Sequence, residues 1–233
     1  MSENRKANIM IISPHPDDAE FGAAGSVARW VKEGKKVVYL ICTGGEKGTS
    51  DLSVNPEDLT LLRRKEQQDA ANILGVSEVI FLGYEDQGLE DTPEFRKEIV
   101  RYIRLFRPET LITADPYRRY IWHRDHRITG QVVLDAAFPY ARDHLSYPDL
   151  LREGLLPHKV KEMLFWGSEH PNYYSDITDT FEQKLAALKC HHSQVGGRQF
   201  RSIARLLRER SETAAANETF NLAEAFYRAE FKW

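Results

Sequence analysis

The stretch that most constrains this chain is an apolar run that ends in proline and a cluster of ionisable groups. Residues 9–12 are apolar and mostly isoleucine, which favours a buried strand, and Pro14 cannot continue a sheet ladder because it has no N–H donor. His15, Asp17 and Asp18 follow at once, before a helical pattern begins. In an open α/β sheet the carboxyl end of the first strand faces the ligand crevice. The cluster is therefore predicted to lie where such a fold performs its chemistry.

Strand-like and helical patterns alternate along the chain. The strand-like runs cover 7–13, 36–43, 78–83, 110–115 and 161–167, and the helical patterns between them cover 20–33, 58–74, 93–106 and 126–141. Strands that alternate with helices of this length form right-handed βαβ units and a mostly parallel sheet. The alternation therefore predicts a Rossmann-like α/β fold in three layers, α/β/α.

The domain organisation follows from the same patterns. No linker rich in proline or glycine interrupts residues 1–195, so we expect them to form one domain. A further helix is predicted over 180–190. The segment 196–233 then turns charged and helical in pattern, and we expect it to be a C-terminal helical extension packed on the same domain.

The spacing of His15 and Asp18 indicates a metal site. Three residues apart across a turn, an imidazole nitrogen and a carboxylate oxygen can share one cation, and zinc accepts both ligand types. Asp17 lies between them and cannot easily point the same way, which suits a general base that takes a proton from a water beside the metal. The alternative is that Asp17 or Asp18 simply caps the following helix.

A second cluster, Trp-His-Arg-Asp-His at 122–126, follows another strand-like run. His126 would supply a third metal ligand and leave zinc the open fourth position that catalytic sites need. His123 is then left to stabilise a developing oxyanion. Asp125 is placed to accept a hydrogen bond from His123 and to fix its tautomer. Two such clusters at the ends of two predicted strands favour a catalytic metal site.

The paired motifs resemble those of the PIG-L/LmbE-like family of zinc-dependent N-acetylglucosamine deacetylases. Pro-His-Pro-Asp-Asp at 14–18 is similar to the first motif of that family, and His-Arg-Asp-His at 123–126 is similar to the second. Within this family, the sequence of residues 170–194 most resembles the diacetylchitobiose deacetylase branch. Arg124 stands where the family usually has proline, and we expect it to change the entrance of the pocket and its charge.

The resemblance implies a reaction, a cofactor and further site residues. The reaction is zinc-dependent hydrolysis of the N-acetyl group of an N-acetylglucosamine-containing sugar or conjugate, which releases acetate and an amino sugar. Arg63 and Asp86 match positions that bind sugar hydroxyls, for which a guanidinium and a carboxylate are suited. His191 matches a histidine of an H-x-S-Q sequence and is expected beside the substrate. The family commonly forms trimers or hexamers, so we expect a homo-oligomer.

These residues combine into one predicted mechanism. Zn²⁺ is held by His15, Asp18 and His126 and lowers the pKa of a bound water. Asp17 takes the proton as the water attacks the acetamide carbonyl, and later returns a proton to the leaving amine. Protonated His123 and the zinc ion stabilise the tetrahedral oxyanion.

Composition narrows the partners and the compartment. The chain has 233 residues, 29% of them charged, and a formal net charge of −3, which argues against nucleic acid or an anionic membrane as the main partner. Residues 1–7 are polar without an apolar leader core, and no stretch approaches the length of a membrane span. Only two cysteines are present, so a reducing compartment is acceptable. We expect a cytoplasmic protein with a small amino-sugar substrate.

Three other functions are compatible with parts of the pattern. A dinucleotide-binding fold would need G-x-G-x-x-G after the first strand, where this chain has Pro-His-Pro-Asp-Asp. A two-cation phosphoesterase would need a bridging carboxylate and a second ligand set. A non-catalytic sugar- or metal-binding protein on the same fold would need neither Asp17 nor His123.

Overall fold

A single mixed sheet organises the computed structural model, which describes residues 5–197 and 199–233. Within those residues the strands are β1 (Ile9–Ser13), β2 (Val37–Thr43), β3 (Glu78–Tyr84), β4 (Thr110–Ala114), β5 (Glu162–Trp166), β6 (Tyr173–Asp176) and β7 (Ala223–Glu230). The helices are α1 (Asp18–Lys32), α2 (Pro56–Leu74), α3 (Pro93–Phe106), α4 (Arg124–Asp135), α5 (Pro148–Arg152), α6 (Phe181–Leu188), α7 (His192–Val195) and α8 (Gln199–Ala214). A π-helical turn, Ala136–Tyr140, continues α4.

The strand order is β3-β2-β1-β4-β5-β7-β6. Strands β1 to β5 pair in parallel, and Ile9 of β1 lies opposite Val37 on one side and Thr110 on the other. The order reverses between β1 and β4, which makes the carboxyl ends of these two strands the place where a crevice opens. The predicted α/β fold with a mostly parallel sheet is confirmed.

Both faces of the sheet are covered by helices, as the three-layer prediction requires. Met10 and Ile12 of β1 join a core with helices α3 and α4, whereas Ile9 and Ile11 join a core with α1, α2 and α6. Alternate residues of a strand point to opposite faces, so a strand buried on both faces must be apolar at every position. The run at 9–12 is apolar for this reason.

Local chemistry fixes where the helices begin and end. The Asn55 side chain accepts hydrogen bonds from the first amides of α2, and Thr92 does the same for α3. Proline follows each cap, at the one helical position where its missing N–H is harmless. Gly75 ends α2 in the left-handed conformation, with φ 76°.

The C-terminal segment differs from its prediction. The expected helix is present as α8, but Ala223–Glu230 is a strand that lies between β5 and β6 and pairs antiparallel with both. Phe226 is fully buried against the α1 side of the sheet. The segment therefore contributes a strand to the sheet as well as a packed helix, while the boundary at residue 195 stays a prediction.

Two further expectations concern the whole chain. No helix within the described residues is both long and apolar enough to cross a membrane. Cys42 and Cys190 are both free thiols. Residues 1–4 of the polar N-terminal stretch lie outside the described part of the chain.

Candidate active site

The two predicted clusters meet at the carboxyl edge of the sheet, between β1 and β4. His15 lies two residues after β1. His123 directly precedes α4 and ends the loop that follows β4. Their ring centroids are 4.7 Å apart. Chain topology brings together side chains from distant parts of the sequence at the place where open α/β sheets bind their ligands.

His15, Asp18 and His126 form a group that fits a metal ion. The Nδ1 atom of His15 lies 3.0 Å from one carboxylate oxygen of Asp18, and the Nε2 atom of His126 lies 3.1 Å from the other. One ligand atom of each residue lies within 4.8 Å of those of the other two. Two imidazoles and a carboxylate are the donor set of catalytic zinc sites with one position left open.

The surroundings of His15 stabilise positive charge. Its Nε2 atom lies 3.0 Å from Asp86 and 3.2 Å from Asp125, while Nδ1 faces Asp18. Burial of the ring opposes its charge, but the hydrogen bonds to Asp125, Asp18 and Asp86 outweigh it and raise the pKa of His15 to about 12. Three carboxylates around one imidazole form a site built for a cation, whether that cation is a proton or a metal ion.

Asp17 directly precedes α1, but its side chain does not cap the helix. Its backbone is left-handed, with φ 89°, and its side chain makes no capping hydrogen bond, so the helix-cap alternative does not describe it. Its carboxylate lies 3.3 Å from the guanidinium of Arg63. Burial and the neighbouring charge of Asp18 raise the pKa of Asp17 to about 7. Asp18 behaves oppositely: although burial opposes it, the two histidines hold the pKa of Asp18 far below its ordinary range.

His123 presents a defined tautomer to the site. The backbone N–H of Asp125 donates to its Nδ1 atom over 3.2 Å, so in the neutral ring the proton is on Nε2. Burial and the nearby charge of His15 lower the pKa of His123. The geometry favours a neutral ring that donates from Nε2, whereas the protonated His123 expected from the sequence stays a prediction.

The expected contact between the Asp125 carboxylate and His123 is wrong. That carboxylate lies 3.2 Å from His15 Nε2 and accepts a hydrogen bond of 2.7 Å from the backbone of Gln87. The reason is helix geometry. The first amides of α4 need acceptors, and the His123 ring accepts from one of them. The buried Asp125 side chain is then left to contact His15, which follows β1. Asp125 therefore orients a residue of the metal group.

Arg63 is a buried organiser of the loops around Asp17. Its guanidinium donates to the carbonyl oxygens of Gly45 (2.7 Å) and Pro16 (2.6 Å) in addition to its contact with Asp17. The loop approaches closely, since a Cβ on Gly48 would come within 2.6 Å of Arg63 Nη1. Arg63 thus couples the loop after β2 to Asp17.

A small pocket of about 190 Å³ opens onto these groups. It is lined by His15, Asp17, Lys47, Gly48, Arg63, Asp86, Gln87, His123 and Gln194. Asp86 is 4% exposed, and its carboxylate accepts from the Lys47 backbone. Although burial opposes its charge, contact with His15 lowers the pKa of Asp86 to about 2. The predicted residues Arg63 and Asp86 therefore both border the small pocket.

His191 does not reach the small pocket, which corrects its predicted place beside the substrate. The side chain is fully buried and its Nε2 atom lies 3.2 Å from Glu20. Glu20 in turn accepts from Gln67, and Gln67 accepts the backbone N–H of Asp17 over 3.1 Å. Glu20 holds the pKa of His191 above its ordinary value, although burial opposes the charge. His191 therefore supports Asp17 from behind.

Arg124 faces away from the small pocket, contrary to the expectation that it changes the entrance and its charge. It pairs with Glu90 over 2.7 Å and donates to the carbonyl of Leu89. These residues belong to the loop between β3 and α3 that also carries Asp86. Arg124 braces that loop from outside.

Comparison with known proteins bears on this geometry. A family profile described as PIG-L, GlcNAc-PI de-N-acetylase, matches residues 10–137, which include both clusters. The chain belongs to the PIG-L family. A diacetylchitobiose deacetylase from Thermococcus kodakarensis is 38% identical over 191 residues, which are 82% of this chain and 71% of that protein. A probable N-acetyl-alpha-D-glucosaminyl L-malate deacetylase 2 from Bacillus anthracis is 29% identical, with 80% of this chain and 81% of that protein covered.

The solved structure of a deacetylase is similar over nearly the whole chain. The N,N'-diacetylchitobiose deacetylase of Pyrococcus horikoshii, in complex with its inhibitor MPG, superposes with a TM-score of 0.91 at 29% identity. The match covers 98% of this chain and 86% of that one. As a PIG-L family member with these relatives, the chain is an enzyme of the deacetylase type, a hydrolase that acts on an amide bond.

Several residues that shape this PIG-L site were not predicted. Gln67 and Glu20 lie on helices, and in the sequence nothing distinguishes them from ordinary polar and acidic helix residues. Lys47, Gln87 and Gln194 border the small pocket from three different loops or short elements. Their roles depend on tertiary contacts. The one local signal is the group of glycines at 44, 45 and 48, which is typical of a flexible loop.

Proposed function

We propose that this chain is a zinc-dependent N-deacetylase that hydrolyses the N-acetyl group of an N-acetylglucosamine-containing sugar or conjugate. The observation that carries the proposal is the group His15, Asp18 and His126 with the base candidate Asp17 beside it. His15 and Asp17 both line the small pocket. The relatives named above act on N-acetylated sugars, which supports the substrate class. Acetate and an amino sugar are the products.

His15, Asp18 and His126 would hold the metal ion. When bound, a divalent cation supplies a Lewis acid that polarises a carbonyl oxygen and makes a neighbouring water more acidic. A donor set of two imidazoles and one carboxylate suits zinc. Mg²⁺ and Ca²⁺ prefer sites built from oxygen ligands alone. The Asp125 carboxylate, 3.2 Å from His15, fixes the orientation of that ligand.

Asp17 acts as general base and then as general acid. It takes a proton from the water that attacks the acetamide carbon, and it returns a proton to the nitrogen as the C–N bond breaks. Arg63 restricts the carboxylate at 3.3 Å, and Gln67 restricts the backbone at 3.1 Å. A base held from two sides is ready to react without further reorganisation.

His123 stabilises the oxyanion as a neutral donor. Its Nδ1 atom is occupied by the Asp125 amide, so Nε2–H is the hydrogen that it can direct into the small pocket. A fixed donor aimed at developing charge stabilises the transition state more than the ground state. Arg63 and Asp86 both line the small pocket and are placed to bind sugar hydroxyls.

One observation favours a second function, a two-cation phosphoesterase. His15, Asp86 and His123 form another group whose ligand atoms lie within 4.8 Å of one another. Both groups use His15, so two cations would share one imidazole and no carboxylate would bridge them. A metal content of one zinc per chain supports the deacetylase, and two cations per chain would support the phosphoesterase.

The decisive variant is Asp17→Asn, assayed for acetate release with its metal content measured in parallel. We expect activity to fall about 10²- to 10⁴-fold while zinc stays bound, since the base is lost and the ligands are kept. Asp51→Asn, at an exposed carboxylate, is the matched control and should leave activity unchanged. Full activity in Asp17→Asn would remove Asp17 from the mechanism.

The assembly and the compartment remain expectations that direct measurement can check. We propose that the chain forms a homo-oligomer, a trimer or hexamer, because the family that it resembles commonly does. Light scattering on the purified protein measures this directly, and a monomer at working concentration contradicts it. A cytoplasmic location is tested by fractionating the cells in which the protein is made.

A further inference from the structure

The turn that follows β3 holds a strained residue beside the metal group. Gln87 has φ 61°, in the left-handed region, and the backbone N–H of Gly88 donates to the Glu85 carbonyl over 3.1 Å to close a β-turn. Where a turn needs a positive φ at its third residue, glycine or asparagine is usual, because other side chains make that conformation costly. Glutamine therefore occupies this position at an energetic cost.

The backbone contact of Gln87 does not account for the glutamine. Its N–H donates over 2.7 Å to the Asp125 carboxylate oxygen that also lies 3.2 Å from Nε2 of His15. A glycine at position 87 would donate the same hydrogen bond without the strain. A glycine would lack only the side chain, and Gln87 lines the small pocket. The role of the glutamine therefore concerns what binds in that pocket.

The Gln87 amide group has no partner in the protein. Within the part of the chain that the structure describes, its side chain makes no hydrogen bond, and the residue is exposed. The polar side chains that line the pocket without a role in the proposed mechanism are otherwise engaged. Lys47 Nζ pairs with Glu85 over 2.8 Å, and the Gln194 amide donates to the Gly48 carbonyl over 3.1 Å. Gln87 therefore offers a carboxamide, with one acceptor and two donor hydrogens, to a bound molecule.

The turn that carries Gln87 is fixed from two sides. The backbone N–H of Asp86 donates to the Glu46 carboxylate over 2.7 Å, which attaches the turn to the loop after β2. On the other side, Arg124 of α4 pairs with Glu90 over 2.7 Å. A side chain on a fixed backbone has less conformational freedom to lose on binding than one on a mobile loop. The Gln87 amide is thus a preorganised contact.

The position of Gln87 assigns it to the sugar and not to the acetyl group. In the proposed mechanism the acetyl carbonyl lies by the metal group and His123, whereas Gln87 directly follows Asp86, the candidate for binding sugar hydroxyls. A sugar hydroxyl both donates and accepts hydrogen bonds, and a carboxamide has a group to match each. A neutral amide is therefore suited to recognise one hydroxyl.

We infer that Gln87 is a specificity-determining residue whose side-chain amide hydrogen-bonds a hydroxyl of the N-acetylated sugar. The inference rests on the proposed deacetylase function and adds a contact on the sugar beyond those of Arg63 and Asp86. The left-handed backbone makes the bond to Asp125 and holds the residue at the pocket, and the side chain makes the contact with the sugar. Gln87 takes no part in moving protons.

Deoxy analogues of one sugar test the contact. The substrates are the methyl glycoside of N-acetylglucosamine and its 3-, 4- and 6-deoxy forms, assayed for acetate release with zinc-loaded parent and Gln87→Ala proteins. Gln87→Ala should raise KM for the full sugar about 3- to 10-fold, the effect of one hydrogen bond, with kcat nearly unchanged. For the one deoxy form that lacks the contacted hydroxyl, the substitution should change nothing. An equal loss for every sugar, or no loss for any, overturns the inference.

A second variant separates a role in binding from a role in folding. Gln87→Gly removes the same amide and relieves the strain at φ 61°, so its urea midpoint should equal or exceed that of the parent while KM rises as in Gln87→Ala. A lower urea midpoint or an unchanged KM would assign Gln87 to the fold and overturn the inference. Gln68→Ala is the matched control, because Gln68 is an exposed glutamine of α2 outside the pocket lining, and its KM should equal that of the parent.

A binding measurement separates this inference from the proposed function. Calorimetry on the zinc-loaded Asp17→Asn protein reports the Kd of the same sugars without turnover. A Kd that the added Gln87→Ala substitution weakens for the full sugar, but not for one deoxy form, supports the contact even if no acetate is released from any sugar. Equal Kd values in the single and double variants, or no binding of the full sugar, overturn the inference whether or not the protein is a deacetylase.

Discussion

The backbone of Asp17 is the strained point of the site, and Gln67 is the residue that holds it. Asp17 has φ 89°, a conformation that costs a residue with a side chain about 1–3 kcal/mol. Gln67 is fully buried in α2 and bridges the Asp17 amide and Glu20, with distances of 3.1 Å and 3.0 Å. Replacing Gln67 by methionine keeps the length of the side chain but removes both hydrogen bonds. Asp17 is then free to relax away from its reactive position.

The expected size of the effect follows from those contacts. One hydrogen bond contributes about 0.5–1.5 kcal/mol, and leaving the Asp17 amide unpaired adds to the loss. The preference of Asp17 for its reactive conformation should therefore weaken by about 1–2 kcal/mol. Each 1.4 kcal/mol is about tenfold in rate, which predicts a decrease in kcat of about 5- to 30-fold. KM should change little, because Gln67 does not border the small pocket.

The assay is steady-state acetate release with zinc-saturated protein, together with unfolding in urea to confirm that the variant is folded. Gln68→Met is the matched control. The Gln68 side chain is exposed and donates to Asn72 along the helix, so kcat should be unchanged. A Gln67→Met protein that is folded, binds zinc and keeps its full kcat refutes the role assigned to Gln67. A rise in KM at constant kcat refutes it equally, since it would place Gln67 against the substrate.

Three further predictions concern stability and metal binding. Lys184→Met should cost about 3–5 kcal/mol in urea unfolding, because it leaves the buried Glu224 without its cation, and adding Glu224→Gln should recover part of the loss. Burial lowers the pKa of His158 despite its contact with the Pro108 carbonyl. The unfolded chain therefore binds the proton at a higher pH than the folded chain, and the free energy of unfolding falls as the pH decreases below 6.5. His158→Asn should flatten that decrease. Zinc at a hundred times its Kd adds about 2.7 kcal/mol, or about 5–10 °C in Tm, and His126→Ala should abolish the shift in scanning calorimetry.

The fold and the metal group were predictable because each rests on a strong local signal. Apolar runs that alternate with helical patterns determined the strand and helix order, and Pro14 fixed where β1 had to end. His15, Asp18 and His126 are close in space for the same reason: each follows a central parallel strand, and the carboxyl ends of such strands lie at one edge.

The features that sequence did not predict depend on tertiary partners. Strand β7 reads Ala-Glu-Ala-Phe-Tyr-Arg-Ala-Glu, and alanine, glutamate and arginine favour a helix, but pairing with β5 and β6 overrides that preference. Asp125 bonds His15 and not His123, because the α4 amide takes the ring nitrogen first. His191 is separated from the pocket by Glu20 and Gln67, and only their packing shows it.

Acetate release from N-acetylated sugars, before and after chelation, tests the central claim most directly. The zinc-loaded protein should release one acetate for each amino sugar formed, chelation should abolish the release, and Zn²⁺ should restore it at one ion per chain. Release that persists in the chelated, metal-free protein contradicts the account, as does an absence of release from neutral and acidic N-acetylglucosamine conjugates alike by zinc-replete, folded protein.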